Sequence, residues 1–304
     1  MQTEQLPVKV PELDVQYPKP RETPPYFPKT HFLGLFSGSR GSGKTTVLLK
    51  FVSEYEKTRT FDRIYVVSPS FSSDRKYDLF HKFNTELHVY ESYSDSLMLE
   101  IINDIHAGIE AHKQYLKQKA LYKKYIRDKH DLAEFSGKEL RELEAMQHQT
   151  PKPPFKSGKS PVTLLIFDDC LGSSLYKPNA TGPASTFFYR HRHAQTSVLF
   201  LTQSVKNGLP RQLRANISLL VLFRCKSKHM AEEIADEWSA YVSVDEFQWM
   251  WQYATEPEHG FLLVDFEDKK YPFRSGFDKA FILPKKGQVM KTPPETKELP
   301  GAAS

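Results

Sequence analysis

The sequence predicts an α/β fold with a mainly parallel sheet and helices on both faces, and three observations carry that expectation. Near-continuous apolar runs of strand length recur along the chain, among them HFLGLFSG, RIYVVSPS, VTLLIFDD, SVLFLTQS and ISLLVLFR, as strands covered on both faces require. Segments with helical apolar spacing stand between them, the alternation that builds parallel sheets through crossover connections. The first run passes through a glycine-rich turn straight into the first helical segment. With 304 residues, 39% hydrophobic and 26% charged, the chain can bury a large core and is too apolar for a disordered one.

Taken in order, residues 1–28 hold seven prolines and end in RETPPYFP, which reads as an extended arm that buries no core. The globular domain is expected over 29–280. HFLGLFSG is its first strand and TTVLLKFVSEYEK its first helix; RIYVVSPS (63–70) and, more weakly, ELHVYES (86–92) are further strands. A charged helical insertion runs over about 94–149, with QYLKQKALYKKYIRDKHDLAEF at its centre and KELRELEAM after a Ser-Gly break. Lys and Arg crowd its first half, as a solvated helical face or a nucleic-acid contact would. PKPPFKSGKSP (151–161) is an exposed loop. VTLLIFDD resumes the core, followed by TFFYRHRHA (helix), SVLFLTQS (strand), a short helix through LPRQLRAN, ISLLVLFR (strand), helices over Ser227–Ala240 and Asp245–Tyr253, and GFLLVDF (strand). Residues 281–304 read as a disordered tail. There is no internal repeat.

Composition narrows the function classes. No apolar run approaches the roughly 20 residues of a membrane-spanning helix, and the polar, Pro-rich start has no apolar signal core. Cys170 and Cys225 cannot form a disulfide framework, so both are expected to be packed thiols in a reducing compartment, without structural zinc. Lys+Arg 42 against Asp+Glu 37 gives +5, compatible with transient contact with polyanions and too small to demand it.

Gly38-Ser39-Arg40-Gly41-Ser42-Gly43-Lys44-Thr45, followed by Thr46, fits G-x-x-x-x-G-K-[ST] between an expected strand and helix. The fold class therefore sharpens to a P-loop NTPase. Glycines let backbone N–H groups turn inward around phosphate oxygens, Lys44 reaches the β- and γ-phosphates, and the Thr45 hydroxyl can ligate Mg2+. ATP and Mg2+ are the cofactors this implies. Such a loop needs a carboxylate at the tip of a nearby strand, and Leu164-Leu165-Ile166-Phe167-Asp168-Asp169 supplies two. Asp168 is expected on the metal side, and Asp169 is free to orient or deprotonate the attacking water or, alternatively, only to cap the next segment.

Gln203 ends the strand that follows the acidic pair, where an amide touches both γ-phosphate and water or is simply a satisfied strand end. Arg190 and Arg192 precede that strand, as phosphoryl-charge stabilisers for their own or a neighbour's site, or as a basic patch. His191 and His193 alternate with them without a ligand partner at metal spacing. Arg211 and Arg214 are further anion or subunit-rim candidates. The aromatic cluster Phe247, Trp249, Trp251, Tyr253 fits core or interface better than a base-stacking platform.

Together, GSRGSGKTT, LLIFDD more than a hundred residues later, RHRHAQTSVLFLTQS and LPRQLRANISLLVLF resemble the genome-packaging ATPases of large DNA viruses, virophages and polinton-like elements, the poxvirus A32-like branch of the FtsK-HerA superfamily. The resemblance covers about residues 31–224. It implies a sheet of the additional-strand type, with at least one strand between the P-loop strand and the Asp168 strand. It implies Lys44 and Thr45 as phosphate and magnesium residues, Asp168 as metal carboxylate, Asp169 as catalytic acid, Gln203 as sensor, and Arg190 or Arg192 as a finger acting across subunits. Its expected partners are double-stranded DNA, further copies in a homo-oligomeric ring and a capsid or portal protein, in host cytoplasm, viral factory or virion. Two rivals share the P-loop: a small-molecule or nucleoside kinase, and a non-catalytic nucleotide-binding virion protein.

Overall fold

Six short strands run parallel and set the frame: β1 (Leu33–Ser37), β2 (Arg63–Val67), β3 (Glu86–Tyr90), β4 (Thr163–Asp168), β5 (Thr196–Thr202) and β6 (Leu219–Phe223), all buried but the outer β3. The computed structural model describes residues 21–128, 131–170, 173–176, 182–205, 209–239, 242–283 and 295–299. Among them the sheet continues antiparallel through β7 (Phe261–Asp265), β8 (Phe273–Ser275), β9 (Lys279–Phe281) and β10 (Thr296–Glu298), giving the order β10-β9-β8-β7-β6-β1-β5-β4-β2-β3. β5 lies between β1 and β4, so the expected additional strand is present and the P-loop NTPase fold class holds.

Alternation along each strand feeds two cores. Leu165 and Phe167 of β4 face one layer, with helices α2 (Asp95–Arg127), α4 (Pro183–Arg190), α5 (Lys228–Trp238) and α6 (Val244–Ala254). Leu164 and Ile166 face the other, with α1 (Lys44–Lys57) and a 3-10 helix at Arg75–Lys82. Residues two apart point to the same face, so an all-apolar strand fills both cores at once. α3 (Gly137–Ala145) opens with a Ser136/Glu139 capping box and packs on α2 around a satellite core of Leu121, Phe135 and Leu143. The charged insertion is thus a helical hairpin.

Several expectations are corrected. The arm does not end at 28 as a coreless segment: Phe27 is only 8% exposed, its ring 5.4 Å from Phe51 and 5.1 Å from Phe277, and Arg21 ion-pairs with Asp62. Residues 1–20 lie outside the described residues. The helix before β5 stops at Arg190 rather than running through RHRHA, because the chain turns there into the strand: His191 is buried, its Nδ1 2.8 Å from the Thr196 carbonyl, and Gln195 takes φ 50°. The tail is not wholly disordered, since Thr296–Glu298 pairs with β9 and Leu299 N donates to Asp278 O at 2.7 Å; 284–294 and 300–304 lie outside the described residues. The aromatic cluster divides: Phe247 and Trp251 belong to the core, Trp251 Nε1 donating to Phe223 O at 3.1 Å, while Trp249 is half-buried and Tyr253 exposed.

Candidate nucleotide site

Parallel strands end at one sheet edge, and β1, β4, β5 and β6 deliver their next residues there. After β1 the chain turns at Gly41 (φ 79°) and Gly43 (φ 98°) into α1, backbone angles that a β-carbon would strain. A Cβ on Gly38 would stand 2.7 Å from Cβ of Phe223, so the loop also needs glycine to lie against β6. Gly38 N donates to Thr202 O at 3.2 Å, tying the loop to β5. Gly43 gives α1 no side-chain cap and its first turn holds no acid. The N–H groups of that turn, on Lys44, Thr45 and Thr46, therefore meet no cap and point their partial positive charge into the loop.

Lys44 Nζ donates to Gly38 O at 2.6 Å and Ser39 O at 3.1 Å, carbonyls of its own loop. Burial pulls its pKa down, opposed by Asp168 and Asp169. Asp168, the last residue of β4, is 5% exposed. Burial and the neighbouring Asp169 push its carboxyl up to about 6, against the pull of the Tyr77 hydrogen bond and Lys44.

Tyr77 was not foreseen. Its 3-10 helix is started by Asp74, whose Oδ1 accepts from Lys76 N at 3.0 Å, and its ring stacks 4.7 Å from Phe71. Buried to 1% exposure, it donates its hydroxyl to Oδ2 of Asp168. Burial and Asp168 raise its pKa, opposed by the nearby Ser68 and Thr45 side chains. The two expected metal residues, Thr45 and Asp168, thus both lie about the Tyr77 hydroxyl, Asp168 bonded to it and Thr45 near it. Ser42 Oγ and Thr202 Oγ1 are buried at this edge without a partner. Orphaned hydroxyls, a buried carboxylate and an ammonium resting on loop carbonyls fit a magnesium nucleotide. Among the described residues no cluster of three or more His, Cys, Asp or Glu offers a separate metal site.

Asp169 sits one residue beyond Asp168 at φ 53°, and Gln203, directly after β5, donates from Nε2 to Asp169 Oδ1 at 3.1 Å. Cys170 is packed, its Sγ 3.3 Å from Val67 O and its thiol pushed up to about 12 by burial, so it is no nucleophile.

The arginines fall elsewhere. Arg190 and Arg192 precede β5 and so occupy the opposite, N-terminal edge of the sheet, a strand length of roughly 20 Å from the P-loop; they do not join this chain's own site. Arg192 pairs instead with Glu267 at 2.6 Å. Arg214 is buried and structural, bonded to Glu237 Oε1 at 2.9 Å and Leu209 O at 2.8 Å, which removes it as a subunit-rim candidate; Arg211 stays exposed. In their place a cleft of about 310 Å³ continues from the loop, lined by Arg40, Arg224, Lys226 and His259. Arg224 and Lys226 follow β6, which neighbours β1, so the rule that placed Gln203 would have found them.

No protein-family model matches the sequence, and no curated protein matches it. Among solved structures the chain is similar to the genome packaging NTPase B204 of Sulfolobus turreted icosahedral virus 2 in complex with ATP-gammaS, at 14% identity and TM-score 0.45, over 77% of this chain and 92% of that one. It is also similar to the cytoplasmic domain of the Thermomonospora curvata type VII secretion ATPase EccC, at 16% identity and TM-score 0.42, over 79% and 24%. A third is the pCW3 conjugation coupling protein TcpA with ATPgS, at 12% identity and TM-score 0.38, over 79% and 58%. At these identities and scores the likeness is one of chain course, and the functional reading rests on the site's own residues.

Proposed function

We infer that the chain hydrolyses ATP with Mg2+ and couples the reaction to movement of double-stranded DNA, as a viral genome-packaging motor working in a homo-oligomeric ring in host cytoplasm, viral factory or virion, against a capsid or portal protein. The observation that carries hydrolysis is the Gln203–Asp169 hydrogen bond beside the buried Asp168. In this reading the first-turn N–H groups of α1 bind the phosphates and Lys44 leaves Gly38 and Ser39 for the β- and γ-oxygens. Thr45 and Asp168 hold Mg2+, which neutralises charge on the phosphate oxygens. Asp169 accepts a proton from the attacking water, and Gln203 holds that carboxylate in line. Arg224 and Lys226 face the open side of the loop, placed for the nucleotide's outer part. The DNA partner rests on the motif resemblance, and no described helix is long and apolar enough to cross a membrane.

Phosphate release from ATP with no added acceptor, measured against protein concentration with and without duplex DNA, tests the reading. Turnover that rises with assembly and DNA supports it. Turnover only with an added hydroxyl acceptor makes the chain a kinase; nucleotide binding without turnover under any condition makes it a binding module.

A further inference from the structure

α2 is longer than the sheet it covers. It starts past the C-terminal end of β3 and runs back antiparallel to the strands, and Arg63, the first residue of β2, donates from Nη1 to Asp104 O at 3.1 Å and stands 3.0 Å from a Cβ built on Gly108. The sheet's far edge is therefore reached at Asp104–Gly108. The remaining 19 residues, at 1.5 Å each, carry the helix roughly 30 Å further. That projecting part makes a hairpin with α3 around the satellite core of Leu121, Phe135 and Leu143.

Charge divides at the same place. Over 95–110, where α2 lies on the sheet, it carries Asp95, Glu100, Asp104 and Glu110 and no Lys or Arg. Over 111–127, where it projects, it carries Lys113, Lys117, Lys119, Lys123, Lys124 and Arg127 and no acid. An ordinary solvated helix interleaves signs so that i,i+4 pairs form; this one cannot within the projecting half. The helix dipole accounts only for cations of the last turn, here Lys124 and Arg127. Among the described residues Lys117, Lys119 and Lys123 are exposed and none stands within ion-pair distance of an acid. At about 100° per residue the six cations share an arc of about 160°, while Leu121 and Tyr125 occupy the other side, against α3.

We propose that this basic face of the α2/α3 hairpin, centred on Lys117, Lys119 and Lys123, is a docking surface for the phosphate backbone of duplex DNA. The occupant follows from the chemistry. Cations spread over about 20 Å of one rigid helix match a line of regularly spaced phosphates. Leu116 and Ile126 leave exposed apolar surface beside the cations, too little for an apolar face, so anionic vesicles are the competing partner in the test. The face lies at the edge opposite the nucleotide, on the side that holds Arg190 and Arg192, so the track is gripped away from the hydrolytic site. The proposal rests on the DNA partner in the reading above.

The test is fluorescence anisotropy of a labelled duplex with the full chain, from 50 to 200 mM salt, for wild type and for Lys117→Ala with Lys119→Ala and Lys123→Ala. Alanine is a strong helix former, so fold and DNA-free ATPase rate should match wild type. Three lost contacts at about 0.9 each should flatten the log–log salt slope by about 2.7, so that fourfold more salt costs wild type roughly 40-fold more affinity than the variant. Replacing the same three lysines with Glu should weaken binding further. An unchanged slope in the alanine variant, with wild type binding DNA, overturns the hairpin proposal alone. ATP turnover with no duplex binding by wild type at any salt removes the DNA reading together with it. Preferential, lysine-dependent binding of phosphatidylserine vesicles or polyglutamate over DNA would also overturn it.

Discussion

Gln203 and Asp169, 34 residues apart in sequence, meet at the C-terminal ends of neighbouring strands, the amide Nε2 donating to Oδ1 at 3.1 Å. Asp169 reaches that contact only through φ 53°, a conformation uncommon for a residue with a side chain and recurrent at functional sites. The carboxylate leaves the line of β4 while Asp168 stays in it. Two adjacent acids thereby acquire different environments, one buried against Tyr77 and one exposed beside an amide.

That separation predicts separate defects. Asp169→Asn should keep Mg2+-ATP affinity and lose turnover by roughly 100-fold or more, the usual worth of a positioned base. Gln203→Ala should lower turnover less, with affinity again near wild type. Nucleotide titration beside single-turnover hydrolysis reads both, and wild-type rates in Asp169→Asn would move water activation elsewhere.

Lys44→Ala should abolish hydrolysis without unfolding the chain. The Lys44 ammonium hydrogen-bonds only to the Gly38 and Ser39 carbonyls of its own loop, so its loss opens no apolar cavity, and the cation it removes from near Asp168 leaves a carboxyl that burial already favours in its neutral form. Unchanged thermal midpoint with no phosphate release is the expected result; hydrolysis by a folded variant would end the P-loop reading.

Where sequence reasoning worked, the signal was local and periodic. Four apolar residues in a row followed by two acids, LLIFDD, mark a buried strand with its chemistry at the tip, and G-x-x-x-x-G-K-T between strand and helix fixes its own geometry. The failures have physical causes too. Tyr77 stands 91 residues from Asp168 in sequence, and nothing in RKYDLFHK marks one aromatic above its neighbours until the fold folds it over. β8 to β10 are three residues each, too short for any period to show. The edge that holds Arg190 and Arg192 is legible too: residues that precede a parallel strand lie at the edge opposite those that follow it, so of the two expectations only the neighbour's site remains.

Tyr77→Phe removes one hydroxyl and leaves a buried carboxylate without its donor, which costs about 1 to 3 kcal/mol in the metal-free protein. Because that hydroxyl holds Oδ2 of Asp168 and lies near Thr45, nucleotide affinity in EDTA should be unchanged while the gain on adding Mg2+ shrinks. Equal losses with and without Mg2+ would reduce Tyr77 to a packing role.

Asp168 also predicts a pH signature in metal-free buffer. Its folded pKa, about 6, lies above the unfolded value of 3.8, so the fold binds the extra proton between them. The contribution of this group to stability is full below about 4, falls as pH rises to about 6, and is level above. Relative to Asp168→Asn, wild type should therefore lose unfolding free energy across that window, measured by urea titration. A gain across it would mean that Lys44 holds the carboxylate ionised.

Arg190 and Arg192 can serve as a finger only for a neighbouring copy. Arg190 and Arg192 sit at the sheet edge opposite their own P-loop, and both side chains are exposed. Arg214 is excluded on chemistry, since its buried guanidinium is held by Glu237 and the Leu209 carbonyl; Arg214→Ala should destabilise by roughly 1 to 3 kcal/mol through those lost hydrogen bonds, without a specific kinetic defect. Arg190→Ala or Arg192→Ala should instead leave nucleotide affinity and stability intact while lowering turnover by roughly a thousandfold in assembled protein. Each would be inactive alone, as Lys44→Ala is. Mixed with Lys44→Ala, the finger variant should recover activity, because some interfaces then join an intact P-loop to an intact arginine. The recovered rate should follow the statistics of mixing and peak near equal proportions. Absence of recovery with either arginine, in assemblies shown to have exchanged subunits, would leave Arg192 as the surface partner of Glu267 and place charge stabilisation with Lys44 and the residues around it.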